Sequence, residues 1–383
     1  SHLMRRLLLI LTVLLASTIF TLARAQEAPP PTAATPLQDI NLRQGPGTTY
    51  PGITRLYTTA TVNIVERNSI GTWVRVQQMR PDGSVGLDGW VVSGYLNLNP
   101  ELRFSTIPVS PLVDAIPERA ESLSLRPLYA APVISVINPA MRDVYQRGLE
   151  MRHYTHVITK IGDSVSADSL YLNVMSRPSA NLGPYDYLSD ALHYFAASTQ
   201  QGSVAARVGL NTFAVFDPTW APSDQCEPNE TPLHCELRLK RPSIALIMFG
   251  GNDVKNFNLA EYEQQMRRIV EETLAQGVIP VLSTFSADPN FDTWADSISF
   301  NTRIIQIATD YQVPLINLWL AARSLPEFGL EGDGIHMNHW GTDTLRFDSG
   351  FPAFSGANLR NLLALRMVDE IRRTIFIDPN ALG

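Results

Sequence analysis

Two hydrophobic rhythms divide the chain. Between 37 and 99 apolar residues come in short alternating runs, Thr61–Val65, Thr72–Val76 and Gly89–Val92. Turn residues at 68–71 and 81–83 punctuate them. Alternation of period two at this spacing predicts a small all-β barrel. From Pro139 the rhythm changes to strand–helix alternation. Strands are expected over His156–Ile161, Ser243–Phe249, Val278–Phe285 and Val313–Leu318. Helices are expected over Pro139–Met151, Tyr185–Ala197, Leu259–Gln276, Ile298–Tyr311 and Arg360–Arg373. In the longest of these patterns, Leu259, Tyr262, Met266, Ile269, Val270 and Leu274 form one stripe, and Gly277 ends it. Such alternation predicts an α/β domain, a parallel sheet with helices on both faces. No internal repeat is visible.

The remaining segments lack either rhythm. Ser1-His2-Leu3 reads as a cloning remnant at 1–3. Residues 4–25 read as a signal peptide: Arg5-Arg6, an apolar run from Leu7, then Ala23-Arg24-Ala25, with cleavage after Ala25. A membrane anchor is the competing reading of that run. Thr12, Ser17, Thr18 and Thr21 and its short length favour cleavage and an extracytoplasmic location. No cysteine follows the cleavage site, which argues against a lipid anchor. The proline-rich residues 26–36 read as a tether, 37–99 as the β domain, 100–138 as a linker and 139–383 as the α/β domain.

Composition sharpens this modestly. The chain has 383 residues, 45% of them apolar and 17% charged, enough for two globular domains. Its formal charge is −7, and loss of Arg5, Arg6 and Arg24 with the signal takes it to about −10. An acidic exported chain is a poor nucleic-acid partner. Two cysteines, Cys226 and Cys235, flank a polar, turn-rich loop. In an oxidising compartment they are expected to form a disulfide. The alternative, zinc held by Cys226, His234 and Cys235, needs adjacent ligands and lacks a fourth.

Three clusters of reactive residues follow predicted strands. Gly162-Asp163-Ser164 follows the first, Gly250-Gly251-Asn252-Asp253 the second, and Asp333-Gly334-Ile335-His336 comes after the last. In open α/β sheets the carboxyl ends of the strands are where sites form. A serine is a weak nucleophile without a base. His336 could take its proton and return it to the leaving group. Asp333 could hold the imidazole in one tautomer. Asn252 could donate to an oxyanion, beside the backbone N–H of Ser164 and a loop glycine, for which Gly209 is the candidate.

These clusters resemble the blocks of the SGNH (GDSL-type) hydrolase family over roughly 139–375. Gly162-Asp163-Ser164 resembles the first block, Gly250-x-Asn252-Asp253 the Gly-x-Asn-Asp block, and Asp333-x-x-His336 the last. The resemblance implies a three-layer α/β/α, flavodoxin-like fold. It also implies a Ser164-His336-Asp333 triad and an oxyanion hole of Ser164, Gly209 and Asn252. Ester hydrolysis without a metal or other cofactor follows from it. Val208 stands where the family usually has an asparagine before the glycine. No Gly-x-Ser-x-Gly elbow is present. Over 37–99, Asn41-Leu-Arg-Gln-Gly-Pro-Gly47, Gly71-Thr-Trp-Val-Arg-Val76, Gly89-Trp-Val-Val92 and Tyr95-Leu96 resemble a bacterial Src-homology-3-like domain. Such domains often bind cell-wall peptides, though a spacer packed on the enzyme fits equally. Trp73 and Trp90 are expected in its core.

Other residues are weighed against these. Ser166 and Ser169 do not sit on the glycine turn. Asp163 and Asp253 read as supports that order their loops. His339 lacks an aspartate at the matching offset. His153 and His156 have no accompanying carboxylate or cysteine, and His193 and Arg267-Arg268 read as helix-surface residues. The sequence thus predicts an exported carboxylic ester hydrolase, with an acylated polysaccharide or peptidoglycan as the suggested substrate. No membrane span is expected after signal cleavage. The alternatives are a surface-binding protein with an idle hydrolase domain and an acyltransferase using the same triad.

Overall fold

A computed structural model describes residues 30–48, 50–112, 125–348 and 350–377. The expected signal peptide and cleavage site lie outside them. Among the described residues no helix is long and apolar enough to cross a membrane.

The first unit is a seven-stranded antiparallel sheet. Its strands are β1 (Ala33–Pro36), β2 (Ile40–Arg43), β3 (Gly52–Leu56), β4 (Val62–Arg67), β5 (Trp73–Met79), β6 (Val85–Val92) and β7 (Leu96–Leu98). They lie in the order β3-β2-β6-β5-β4-β1-β7. Register shifts at Leu42/Arg43, Ile64/Glu66 and Gln77/Met79 mark bulges, which bend the strands and increase their twist. One boundary is corrected. Ala33–Pro36, assigned to the tether from its composition, is a strand between β4 and β7. Its alternating burial puts Ala34 and Pro36 inward. Pro36 can be accommodated because it ends the strand, where no further ladder donor is needed. Trp73 and Trp90 are buried in the core.

The second unit is a four-stranded parallel sheet of β8 (Tyr154–Gly162), β9 (Pro242–Met248), β10 (Ile279–Ser283) and β11 (Leu315–Ile316), in the order β11-β10-β9-β8. All seven residues of β9 are buried, as expected for a strand covered on both faces. The longer helices are α1 (Met141–Glu150), α2 (Ser189–Phe195), α3 (Pro232–Lys240), α4 (Leu259–Ala275), α5 (Trp294–Tyr311) and α6 (Gly356–Ile371). Helices α4 and α5, the crossovers flanking β10, pack together, while α6 packs on α2 and against β11.

Helix α4 starts at a capping box: the Asn258 side chain accepts from the Glu261 N–H, and Glu261 accepts from the Asn258 N–H. The helix expected over Tyr185–Ala197 is broken into 3₁₀ turns on either side of α2. The last strand shrinks to two residues.

The cysteine loop also differs from expectation. Cys226 and Cys235 form a disulfide, but Cys235 sits on helix α3. Pro232 occupies the first turn there and Thr231 caps the helix by accepting from the His234 N–H. The zinc alternative is excluded: both sulfurs are in the disulfide, and His234 Nε2 pairs with Glu272 at 2.8 Å.

Candidate active site

Strand β8 ends at Gly162, where space is short. A Cβ there would lie 2.3 Å from the Met248 carbonyl oxygen and 2.4 Å from Ser166 Oγ. Glycine lets the chain pass β9 and turn immediately into the short helix Ser164–Ala167. Asp163 caps that helix, its Oδ1 accepting from the Val165 N–H at 3.0 Å. Ser164 is thereby presented at the carboxyl edge of the sheet, half-buried, while Ser166 is turned into the core.

The cluster after β11 meets Ser164 across that edge. His336 Nε2 lies 2.9 Å from Ser164 Oγ, and His336 Nδ1 lies 2.6 Å from Asp333 Oδ2. Asp333 Oδ1 also accepts from the backbone N–H groups of Ile335 and His336, at 2.9 and 3.0 Å. One carboxylate therefore fixes both the loop and the ring. Burial works to raise the Asp333 pKa, but the hydrogen bonds from His336 and the two amides prevail and hold it below the usual value. His339 points elsewhere: its Nδ1 is 2.9 Å from the Gly341 carbonyl and its Nε2 3.8 Å from Glu331.

Asn252 follows β9 and donates from Nδ2 to the Leu210 carbonyl at 3.2 Å. An amide nitrogen carries a second N–H. Its neighbour Asp253 is buried and accepts from both Thr212 N and Thr212 Oγ1, at 3.0 and 2.6 Å. The two residues thus tie the loop carrying Gly209 to the end of β9. The same loop is tied to the nucleophile turn, because Gly162 N–H donates to the Ala205 carbonyl and Arg207 N–H to the Gly162 carbonyl. Gly209 lies in a left-handed turn, φ +82°, beside an exposed Val208.

Several supports carried no sequence signal. Arg360, on α6, is buried beneath the nucleophile turn. Its Nη1 donates to the Val165 carbonyl at 2.6 Å and its Nη2 to Ser166 Oγ at 2.9 Å. Its guanidinium lies 3.6 Å from the centre of the Tyr171 ring. Burial pushes the Asp163 carboxyl up to about 6, against the Val165 hydrogen bond and the attraction of Arg360. Lys160, within β8, donates to the Asp168 and Tyr171 carbonyls and to Asn173. Burial lowers its pKa to about 7.

A small slot with mixed lining, Asp163, Lys255 and Asp288 among its polar members, lies between the three clusters. Val165, Met248, Phe285, Phe291, Ile335 and Met337 line it, and its cavity volume is about 30 Å³. That is room for about two water molecules. Among the described residues the one group with metal-ligand spacing is Cys226, Glu230 and Cys235, whose sulfurs are in the disulfide. His153 Nδ1 instead meets the Pro242 carbonyl, His156 packs near Tyr194, and His193 Nδ1 meets the Ser189 carbonyl.

Residues 161–343, which span all three clusters, match the GDSL-like Lipase/Acylhydrolase family, and residues 38–97 match the bacterial SH3 domain. The chain joins a GDSL-like hydrolase domain to a bacterial SH3 domain. No curated protein matches it in sequence. Solved structures similar to the GDSL-like domain include a GDSL-like lipase from Bacteroides thetaiotaomicron, 12% identical over 60% of this chain and 98% of that one, TM-score 0.36. Another is the psychrotrophic esterase EstA from Pseudoalteromonas, 17% identical over 58% of this chain and 100% of that one, TM-score 0.35. The acetylxylan esterase Axe2 from Geobacillus stearothermophilus is 17% identical over 58% and 94%, TM-score 0.35.

Proposed function

We propose that the protein is an exported serine esterase that removes short acyl groups through Ser164, His336 and Asp333. The observation that carries this reading is the unbroken chain Asp333–His336–Ser164, with links of 2.6 and 2.9 Å. His336 Nε2 takes the Ser164 proton as Oγ attacks the ester carbonyl carbon. The carbonyl oxygen becomes an oxyanion, facing the Ser164 backbone N–H, the Asn252 amide and the N–H of Gly209. Collapse breaks the bond to the alcohol oxygen, which receives the proton from His336. Water then repeats the sequence on the acyl-serine, returning the acid and the free enzyme.

The signal-like residues 4–25 support export, and the SH3-like domain supports a cell-wall setting. O-acetyl groups on a polysaccharide or peptidoglycan are the substrate class these features favour together.

The reading is tested with a fluorophosphonate probe and a panel of p-nitrophenyl esters from acetate to octanoate. Wild type should be labelled and should prefer acetate. Ser164→Ala should be unlabelled and lose turnover by on the order of 10⁶-fold. An unlabelled wild type would mean that the hydrolase domain is idle. A preference for octanoate would overturn the short-acyl assignment.

A further inference from the structure

The loop that carries His336 also carries Trp340, whose side chain is 63% exposed. Water contact on so much indole is unfavourable, and hydrogen bonds anchor the loop backbone on both sides of it. On one side Asn338 N–H donates to the Gly329 carbonyl, and Asn338 Oδ1 and O accept from Gly356 and Ala357 N–H. On the other side Arg177 donates to the Thr342 carbonyl at 3.1 Å. The backbone is therefore tied down on both sides of Trp340, four residues from the base.

It does not stand alone. Phe354 lies edge-on to Trp340 with centroids 6.2 Å apart, and Tyr95 of the SH3-like domain stacks on Phe354 at 6.1 Å. Behind this row the two domains touch directly: a Cβ on Gly350 would fall 2.2 Å from the Gly94 Cα. Trp340 thus stands exposed at the edge of the interface between the domains, on the loop that carries His336, with Phe354 and Tyr95 half-buried behind it.

Resting on the esterase reading, we infer that this aromatic row, with Trp340 foremost, is a sugar-binding platform for the alcohol side of the ester. A pyranose ring offers one face of C–H groups to an indole and hydroxyls around its edge. Polar groups on the same loop, or bonded to it, suit that edge: His339, Asp343, which accepts from Ser179, and Arg177, which donates to the Thr342 carbonyl. The SH3-like domain then contributes to substrate binding through Tyr95.

The test compares acetylated xylo-oligosaccharide with ethyl acetate, which is too small to reach the platform. Trp340→Ala should raise KM for the oligosaccharide about tenfold, leave its kcat within about twofold and leave ethyl acetate turnover unchanged. Trp340→Tyr should recover most of the loss. Equal effects on both esters, or none on either, overturn the platform. Calorimetric titration of Ser164→Ala with xylohexaose and with chitohexaose separates this from the esterase reading, since it needs no turnover. Heat of binding that disappears in Ser164→Ala/Trp340→Ala supports the platform even if hydrolysis fails. The sugar giving the stronger heat shows whether a xylan-like or a wall-like glycan is the source. No binding of either sugar overturns it.

Discussion

Asp163 shows how one side chain can serve position and titration together. Its Oδ1 caps the nucleophile helix, while its Oδ2 is buried without a hydrogen-bond partner. Burial raises its pKa from 3.8 to about 6, so the folded protein keeps a proton that the unfolded chain releases in that interval. Stability must then fall as pH rises from about 4 to about 6. Asn keeps an acceptor for the Val165 N–H and removes the titration. Melting temperature followed across this window should therefore drop less steeply in Asp163→Asn than in wild type. Buried Asp253, whose pKa burial also raises, preserves part of the slope. Identical slopes in the two proteins would show that Asp163 does not titrate there. The meeting of Ser164, Asp333 and His336 was legible, because each follows a strand and the sheet brings strand ends together. Arg360 was not. An arginine on a helix ordinarily lies at the surface, and only the fold shows its guanidinium beneath Val165 and Ser166.

At the level of elements, the parallel strands were readable because continuous apolar runs have few other uses. Helix α3 was missed. Its polar loop signals dominated the reading, although Thr231 before Pro232 is itself a helix start. That helix carries one end of the disulfide, and its own apolar positions, Leu233 and Leu237, are buried. The bridge between Cys226 and Cys235, nine positions apart, closes a short loop. Chain-entropy arithmetic for such a loop gives about 2–3 kcal/mol of stabilisation. Urea unfolding of Cys226→Ser/Cys235→Ser should show a free energy lower by that amount with an unchanged slope. A change below about 0.5 kcal/mol would mean that α3 is held by its packing alone.

The whole molecule departs most from what a sequence can reveal. Residues 68–71 read only as a turn between strands, yet Asn68 and Ile70 are fully buried, because this turn docks on the hydrolase domain. Tyr185 donates from its hydroxyl to the Ile70 carbonyl at 2.5 Å, and Arg366 donates to the Ser69 carbonyl at 2.8 Å. Phe104, just after the sheet, packs edge-on to Tyr185 with centroids 5.2 Å apart. Periodicity locates each domain's own core but carries no record of a contact between residues 115 apart in sequence. Burial of this seam couples the two domains in unfolding. Calorimetry should show one transition for the full chain. Tyr185→Phe leaves the buried Ile70 carbonyl without its donor, which costs about 1–3 kcal/mol. It should lower that single transition as a whole. Two transitions, with one unmoved by Tyr185→Phe, would show instead that the SH3-like domain unfolds on its own. The seam could not then hold Tyr95 in place beside Phe354.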